Sequence, residues 1–231
     1  MKHVIITIVC LYGFMAFGQE TVSQVNDSID YKYREDQFYF SATYNLLRNQ
    51  PDAVSQNGFS SGFHLGFIRD MPINKKRTMA IGLGFGYSGT SINQNVRITE
   101  NDQNVQQYEI VESGTFSKNR ITLHQIEVPL EIRWRTSTPS SYRFWRIYTG
   151  LKVGYVFGSS ARYEGDLANS KVKGLDNLNT IQYGITFTAG YDKFNAHIYY
   201  ALTPIFDGGA KANVTDLDVS VIRIGLMLYI L

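Results

Sequence analysis

The amino-acid sequence predicts an all-β fold, an eight-stranded antiparallel up-and-down transmembrane β-barrel with a filled polar interior. Three observations support this prediction. About eight segments alternate apolar and polar residues with a period of two, which is typical of β-strands. The connections between these segments alternate between long and short, and the chain begins with a segment typical of exported proteins.

The alternation recurs along most of the chain. In the first run, Phe38, Phe40 and Tyr44 share one face of the predicted strand, whereas Gln37 and Ser41 share the other. Most runs are close to the roughly 9–11 residues that a tilted strand needs to cross a membrane. The runs cover residues 38–46, 59–67, 79–87, 126–135, 145–157, 181–189, 194–203 and 222–230.

The chemistry of the two faces predicts which solvent each one meets. The polar faces carry mainly Gly, Ser, Thr and Tyr with few charges, which would make a poor water-facing surface. The opposite arrangement is favourable, because apolar faces can contact lipid while small and polar residues fill a narrow interior. We therefore expect a charge cluster inside the barrel, formed by Glu127, Glu131, Arg133, Arg135, Arg146, Lys152 and Arg223. Aromatic girdles are expected at Phe38, Phe59, Trp134, Trp145, Phe157, Tyr191 and Phe194.

Connection lengths predict the orientation of the barrel. Short turns are expected at residues 71–77, 136–141 and 192–193, and long polar loops at 49–58, 99–117, 159–177 and 207–216. Outer-membrane barrels place long loops outside and short turns in the periplasm, so both termini are expected on the periplasmic side. Val96, Ile98, Tyr108 and Ile110 continue the alternation, which predicts that the third and fourth strands project beyond the membrane as a hairpin.

The N-terminus predicts export to the outer membrane. A short positive segment precedes an apolar run over residues 4–17, and Ala16-Phe17-Gly18 fits a cleavage site with small residues. A retained membrane anchor is the alternative, but it needs about 20 apolar residues. The expected domains are a signal peptide over residues 1–18, a periplasmic lead-in over 19–35 and the outer-membrane barrel over 36–231.

Composition excludes several classes of function. The net charge of the 231 residues is only +2 and no basic run stands out, so we expect no nucleic-acid partner. Cys10, the only cysteine, lies in the predicted signal peptide. The mature chain therefore offers no thiol for disulfides, metal binding or nucleophilic catalysis.

The last strand carries a predicted sorting signal. Arg223, Gly225, Leu228 and Ile230 follow a polar-x-Gly-x-x-apolar-x-apolar pattern that resembles the signal read by the barrel-assembly machinery, an expected partner during biogenesis. Leu231 follows the pattern, whereas an aromatic final residue is common in that class. On chemistry alone, the segment is a strand whose edge could add to another sheet.

A family resemblance rests on the segment around Glu127, Pro129, Leu130, Arg133 and Trp134. With this segment the mature chain resembles the outer-membrane β-barrel domain family of Bacteroidota, which includes porin-family and PorT-like proteins. The resemblance implies an outer-membrane barrel. For the PorT-like branch it also implies an association with the type IX secretion and gliding apparatus.

Candidate catalytic residues do not converge on a site. Acyl-transfer chemistry would need a histidine within reach of a serine and an acidic partner. His64 and His197 are predicted to face the interior, and His124 adjoins a change of phase that predicts a bulge in its strand. Asp216 and Asp218 are predicted in a solvated loop. We expect no catalytic, cofactor-binding or metal-binding residues.

Three hypotheses for function remain at this point. The first is a non-enzymatic structural or accessory barrel that contacts envelope or secretion proteins through its loops or periplasmic rim. The second is a narrow porin for small solutes, although eight strands leave an interior just wide enough for side chains. The third is an outer-membrane enzyme that modifies lipids. Membrane lipid is a partner in all three.

Overall fold

The computed structural model describes residues 35–138, 143–212 and 215–230. The predicted signal peptide (1–18) and residues 19–34 of the predicted lead-in lie outside the described residues. Within the described ranges, no α-helix combines the length and apolar character needed to cross a membrane.

Most of the described residues lie in β-strands. Alternating side chains explain this, because each run can bury one face and expose the other only in an extended conformation. The strands are β1 (Gln37–Arg48), β2 (Ser61–Pro72), β3 (Met79–Asn93), β4 (Val96–Glu100), β5 (Gln106–Ile110), β6 (Phe116–Arg135), β7 (Trp145–Gly165), β8 (Ser170–Lys173), β9 (Ile181–Tyr191), β10 (Phe194–Ala201), β11 (Lys211–Ala212), β12 (Thr215–Asp216) and β13 (Ser220–Ile230).

Eight of these strands form a closed barrel. Their spatial order is β6-β3-β2-β1-β13-β10-β9-β7, and pairing between β6 and β7 closes the ring. Every neighbouring pair is antiparallel, and β1 pairs with β13 from Phe38–Ile230 to Arg48–Ser220. The predicted eight-stranded up-and-down barrel is therefore confirmed.

The outer wall of the barrel is apolar. Leu83, Leu130 and Leu151 lie opposite one another on β3, β6 and β7, with 48%, 49% and 51% of their surfaces exposed. Their strand neighbours at alternate positions, including Glu131 and Lys152, are buried inside. This inside-out arrangement suits lipid around the barrel, as the sequence predicted.

Aromatic side chains ring both ends of the apolar wall. We call the end joined by residues 73–78, 136–144 and 192–193 the turn end, and the opposite end the loop end. The turn end exposes Phe38, Trp134, Trp145, Tyr191 and Phe194, and the loop end exposes Phe59 and Phe157. Rings pack in pairs, with 5.5 Å between the centroids of Trp145 and Tyr191. These positions match the predicted girdles.

Strands β3, β6 and β7 continue beyond the loop-end aromatics, and there their chemistry reverses. On β6, Ile121 and Leu123 are buried on the inner face, while Lys118, Arg120 and Thr122 occupy the outer face. The two loops on either side of these strands are therefore shorter than predicted. The loop predicted at 99–117 ends earlier because β6 starts at Phe116, and the loop predicted at 159–177 begins later because β7 runs to Gly165.

Two details of this region differ from prediction. The phase of β6 is continuous through His124, and the irregularity lies in β7: His124 pairs with Gly158 and Gln125 with Val156, which leaves Phe157 as the additional residue. The change of pattern in β6 reflects a change of solvent, not a bulge in that strand. The projecting hairpin built from Val96 to Ile110 is a separate pair, β4 and β5, within a small sheet of order β12-β11-β5-β4.

The loop end is covered by a compact cap, which we define as residues 94–115, 166–180, 202–212 and 215–219. Its apolar core is buried against the inner faces of the projecting strands. Tyr108 and Phe206 meet edge to face with ring centroids 5.8 Å apart. The core also includes Val54, Ile98, Ile121, Leu123, Leu175, Leu178, Ile205 and Val219.

Candidate functional site

A charged network occupies the middle of the barrel interior. Glu127 on β6 is almost completely buried and carries three partners from other strands. Lys152 Nζ donates to its Oε2 at 3.2 Å, Arg223 Nη1 donates to its Oε1 at 3.4 Å, and His64 Nδ1 lies 3.2 Å from Oε1. Because the carboxylate is paired on several sides, its charge is compensated inside the barrel.

A second cluster lies nearer the turn end. Asp70 on β2 is fully buried and accepts hydrogen bonds from two guanidinium groups. Arg135 binds it with two nitrogens at 2.7 and 2.8 Å, and Arg133 Nη1 donates at 3.0 Å. Arg133 also lies 3.5 Å from Glu131 and stacks over Tyr148, with 4.1 Å to the ring centroid. Two-pronged binding of a carboxylate fixes the direction of Arg135.

The start of β1 and the residues just before it also contact this cluster. Arg133 donates to the side chain of Gln37 and, at 3.5 Å, to the backbone oxygen of Glu35. Burial raises the pKa of the Glu35 carboxyl, and the nearby guanidinium groups of Arg135 and Arg146 oppose that shift. Arg146 stacks over Phe144 at 4.3 Å and donates to a backbone oxygen in the turn at Asp192. The turn end is therefore closed by arginines.

One cavity within the barrel interior is very small. A cavity of about 10 Å³ lies among residues of six strands, Tyr39, Ile68, Glu131, Lys152, His197 and Met227. That volume is close to the minimum needed for one water molecule. Side chains, not solvent, fill the space at this level.

The seven residues of the predicted interior cluster all have buried side chains facing inward. Glu127, Lys152 and Arg223 belong to the first group. Glu131, Arg133 and Arg135 belong to the second group, around Asp70. Arg146 lies beside Phe144. Sequence reasoning missed Asp70, the central acceptor of the second group. Its signal was present, because Asp70 continues the inward phase of His64 and Ile68 beyond the predicted end of that strand.

The family model described as outer membrane protein beta-barrel domain matches residues 17–207. The chain belongs to this family. No curated protein matches the sequence. The family match and the apolar wall together place the barrel in the outer membrane.

The three histidines of the described residues have different hydrogen-bond partners. His64 is held between Glu127 and Thr43, and His197 Nδ1 lies 2.8 Å from Thr188 Oγ1. His124 faces outward, where the hydroxyl of Tyr87 lies 2.7 Å from its Nδ1. Asp216 forms an exposed ion pair with Lys211 at 3.2 Å. Among the described residues, no group of three His, Cys, Asp or Glu side chains is arranged to hold a metal ion.

The predicted sorting strand β13 completes the wall of the outer-membrane barrel. Arg223 points inward to Glu127, whereas Ile230 points to lipid. Gly225 lies so close to β1 that an added Cβ would overlap the backbone oxygen of Ala42. Both edges of β13 are occupied, by β1 and β10, so in the folded barrel neither edge is open to another sheet.

The cap carries an open polar groove on its outer surface. Its volume is about 590 Å³, and its walls come from the β4–β5 hairpin, the β8–β9 connection and β11. Gln106 donates to the backbone oxygen of Gly174 at 2.7 Å and accepts from the backbone nitrogen of Asp176 at 3.1 Å, which joins two loops beneath the groove. The groove gives the cap a concave, polar surface that is open to solvent.

Proposed function

We propose that this outer-membrane barrel is a non-conducting, non-enzymatic protein with a structural or accessory role, which contacts partners through its cap or its periplasmic rim. The filled interior is the observation that carries the proposal. Glu127 at mid-height binds side chains from β2, β7 and β13, so one network spans the lumen. A solute would have to break several buried charged contacts to pass.

The cap supports the same proposal from the other end. Its apolar core lies directly above the charged network, with Ile121 and Leu123 of β6 packed into it. Opening a path to the outside would expose this core to water, which is unfavourable in proportion to its apolar area. Both features count against the narrow-porin hypothesis.

The enzyme hypothesis has less support from the geometry. His64, His197 and His124 do not share a site with a serine and an acid, because two face inward to different partners and one faces outward. We therefore propose that deletion of the gene leaves the lipid A profile unchanged. A changed profile that is restored by the wild-type gene would support the lipid-modifying enzyme instead.

Bilayer recording tests the closed interior. Purified protein inserted into planar lipid bilayers should give no steady conductance, with a general porin in the same bilayers as the positive control. Insertion itself is checked by heat-modifiable migration of the recovered protein in detergent gels. Stepwise openings of constant size from the wild-type barrel would overturn the non-conducting proposal.

The finer proposal is a role in type IX secretion, and it rests on the resemblance of the 124–135 segment to PorT-like proteins of Bacteroidota. If the protein serves that apparatus, deletion of its gene should retain type IX cargo inside the cell. Purification from native outer membranes in mild detergent should then also recover secretion components. Normal export of the cargo in the deletion strain would refute this branch and leave the broader accessory role in place.

A further inference from the structure

A row of like charges crosses the outer face of the projecting strands. Arg120 on β6 is the direct partner of Arg162 on β7, and Arg162 is the direct partner of Lys171 on β8. Directly opposite residues on one face of an antiparallel sheet have Cβ atoms only about 4.5–5.5 Å apart. Three adjacent cations in this arrangement are destabilising unless an anion lies between them.

Little negative charge on the protein compensates this row. Glu164 lies 2.6 Å from Arg162 and 3.4 Å from Lys118. Among the ion pairs of the described residues, none involves Arg120, Lys171 or Lys173. One carboxylate therefore faces a surface of five cations, which we call the basic face: Lys118, Arg120, Arg162, Lys171 and Lys173.

The direction of the basic face follows from its neighbours. Ile121, Ala161 and Val172 alternate with the basic residues and are buried in the core beneath the cap. The side chains of Arg120, Arg162 and Lys171 must therefore point away from the barrel axis, toward the surrounding membrane surface. This is the same outer face that carries apolar residues lower on β6 and β7.

The height of the basic face matches the polar layer of the membrane. On β6, Arg120 lies four residues beyond His124, which packs near Tyr87 and Phe157 at the loop-end girdle. At about 3.3 Å per residue, these four residues span roughly 13 Å along the strand. The corresponding distance along the barrel axis is smaller, because barrel strands are tilted. Long basic side chains at that height can reach lipid headgroups.

A groove of about 400 Å³ lies beside the row. Lys118 and Arg120 form one wall, and Asn57 and Asn93 contribute amide groups from the opposite side. Phe59 lines the same groove, with most of its ring exposed to the lipid side. The amide nitrogens of Asn57 and Asn93 donate to Ser113 and to the backbone of Phe59. The groove therefore combines cations for phosphate, amide oxygens that can accept from hydroxyl groups, and the apolar surface of Phe59.

We propose that the basic face and this groove bind a phosphorylated glycolipid of the outer leaflet, the chemical class of lipopolysaccharide, through its phosphate groups. Guanidinium groups match phosphate geometry with paired hydrogen bonds, and adjacent cations can share one phosphate. The groove then receives the sugar to which the phosphate is attached. The bound phosphate relieves the repulsion within the Arg120–Arg162–Lys171 row.

Native mass spectrometry of the detergent-solubilised protein tests this proposal with bisphosphorylated lipid A as the probe. The triple variant Arg120→Gln, Arg162→Gln, Lys171→Gln should bind the probe at least about tenfold more weakly than wild type, because each lost charge-assisted hydrogen bond costs about that factor. A matched control removes three exposed cations at the turn end, Lys75→Gln, Lys76→Gln and Lys193→Gln, and should bind as wild type does.

Two further measurements distinguish the source of the phosphate and the state of the fold. Dephosphorylated lipid A should bind wild type no better than it binds the triple variant, and inorganic phosphate should not displace the intact lipid. Heat-modifiable migration should be the same for all three proteins, because the substituted side chains lie outside the barrel and cap cores. Equal lipid A binding by wild type and a folded triple variant would overturn the proposal. Binding of dephosphorylated lipid with undiminished affinity, or displacement by free phosphate, would also overturn it.

Discussion

At the scale of single residues, Asp70 compensates two buried positive charges inside the barrel. It is the carboxylate bound by both Arg133 and Arg135, and all three side chains are fully buried. Asp70→Asn keeps the shape but removes the negative charge. We expect the free energy of unfolding to fall by about 3–5 kcal/mol, because two guanidinium groups lose their buried counter-charge.

The measurement is urea unfolding of protein folded into lipid vesicles, followed by tryptophan fluorescence. The control is Glu109→Gln, which breaks the ion pair with Arg97 on the cap surface, where the glutamate is 51% exposed. An exposed pair of this kind contributes at most about 1 kcal/mol. Equal unfolding midpoints for the two variants would show that Asp70 does not carry the stability assigned to it.

Two glycines of β7 differ in how closely other strands approach them. A Cβ at Gly150 would overlap the backbone oxygen of Leu130, whereas a Cβ at Gly154 would lie 3.4 Å from the side chain of Gln125. Gly150→Ala should therefore lower the unfolding free energy by about 1–3 kcal/mol, as expected for overpacking. Gly154→Ala serves as the matched control in the same strand and should unfold near the wild-type midpoint. Equal unfolding midpoints for the two variants would show that the close approach of Leu130 to Gly150 does not affect the stability of the barrel.

At the scale of elements, β6 shows that one strand can keep its phase while its solvent changes. Its inner face carries Glu127 and Glu131 within the membrane and Ile121 and Leu123 beneath the cap. Beyond the membrane boundary the sequence pattern reverses, because water replaces lipid on the outer face and the apolar cap core replaces the polar lumen on the inner face. A reversal of this kind resembles a bulge when only the sequence is considered.

A pair of outward substitutions on β6 tests this boundary. Leu130→Arg places a charge at mid-height against lipid and should cost about 2–4 kcal/mol of unfolding free energy. Thr122→Arg places the same side chain beyond the aromatic girdle, where the change should be within about 0.5 kcal/mol. Urea unfolding in vesicles measures both. Similar losses for the two variants would mean that the same medium surrounds both positions.

At the scale of the whole molecule, the wall could be predicted from the sequence and the cap could not. Within the membrane, each barrel strand has lipid on one face and the polar lumen on the other, so the alternation in a run such as residues 79–87 indicates which face is which. The cap core instead assembles Val54, Leu178 and Phe206 from irregular connections that are distant in sequence. Their burial depends on which loops meet above the barrel, and no local period encodes that.

The candidate site was also predictable only in part. The inward direction of Glu127, Lys152 and Arg223 follows from alternation alone, whereas their mutual contacts depend on strand register and barrel closure. The row formed by Arg120, Arg162 and Lys171 depends on register as well, including the additional residue in β7. Charged residues that meet across strands could therefore be identified only from the three-dimensional structure.

The pairing of β1 with β13 makes the barrel dependent on the final segment of the chain. A product that ends before Ser220 would present two strands with unsatisfied backbone groups to hydrocarbon, an arrangement that membranes do not tolerate. The resemblance to a sorting signal falls on that same closing strand. We therefore expect a truncated chain that lacks β13 to form no stable barrel, because the edges of β1 and β10 would have no partner strand.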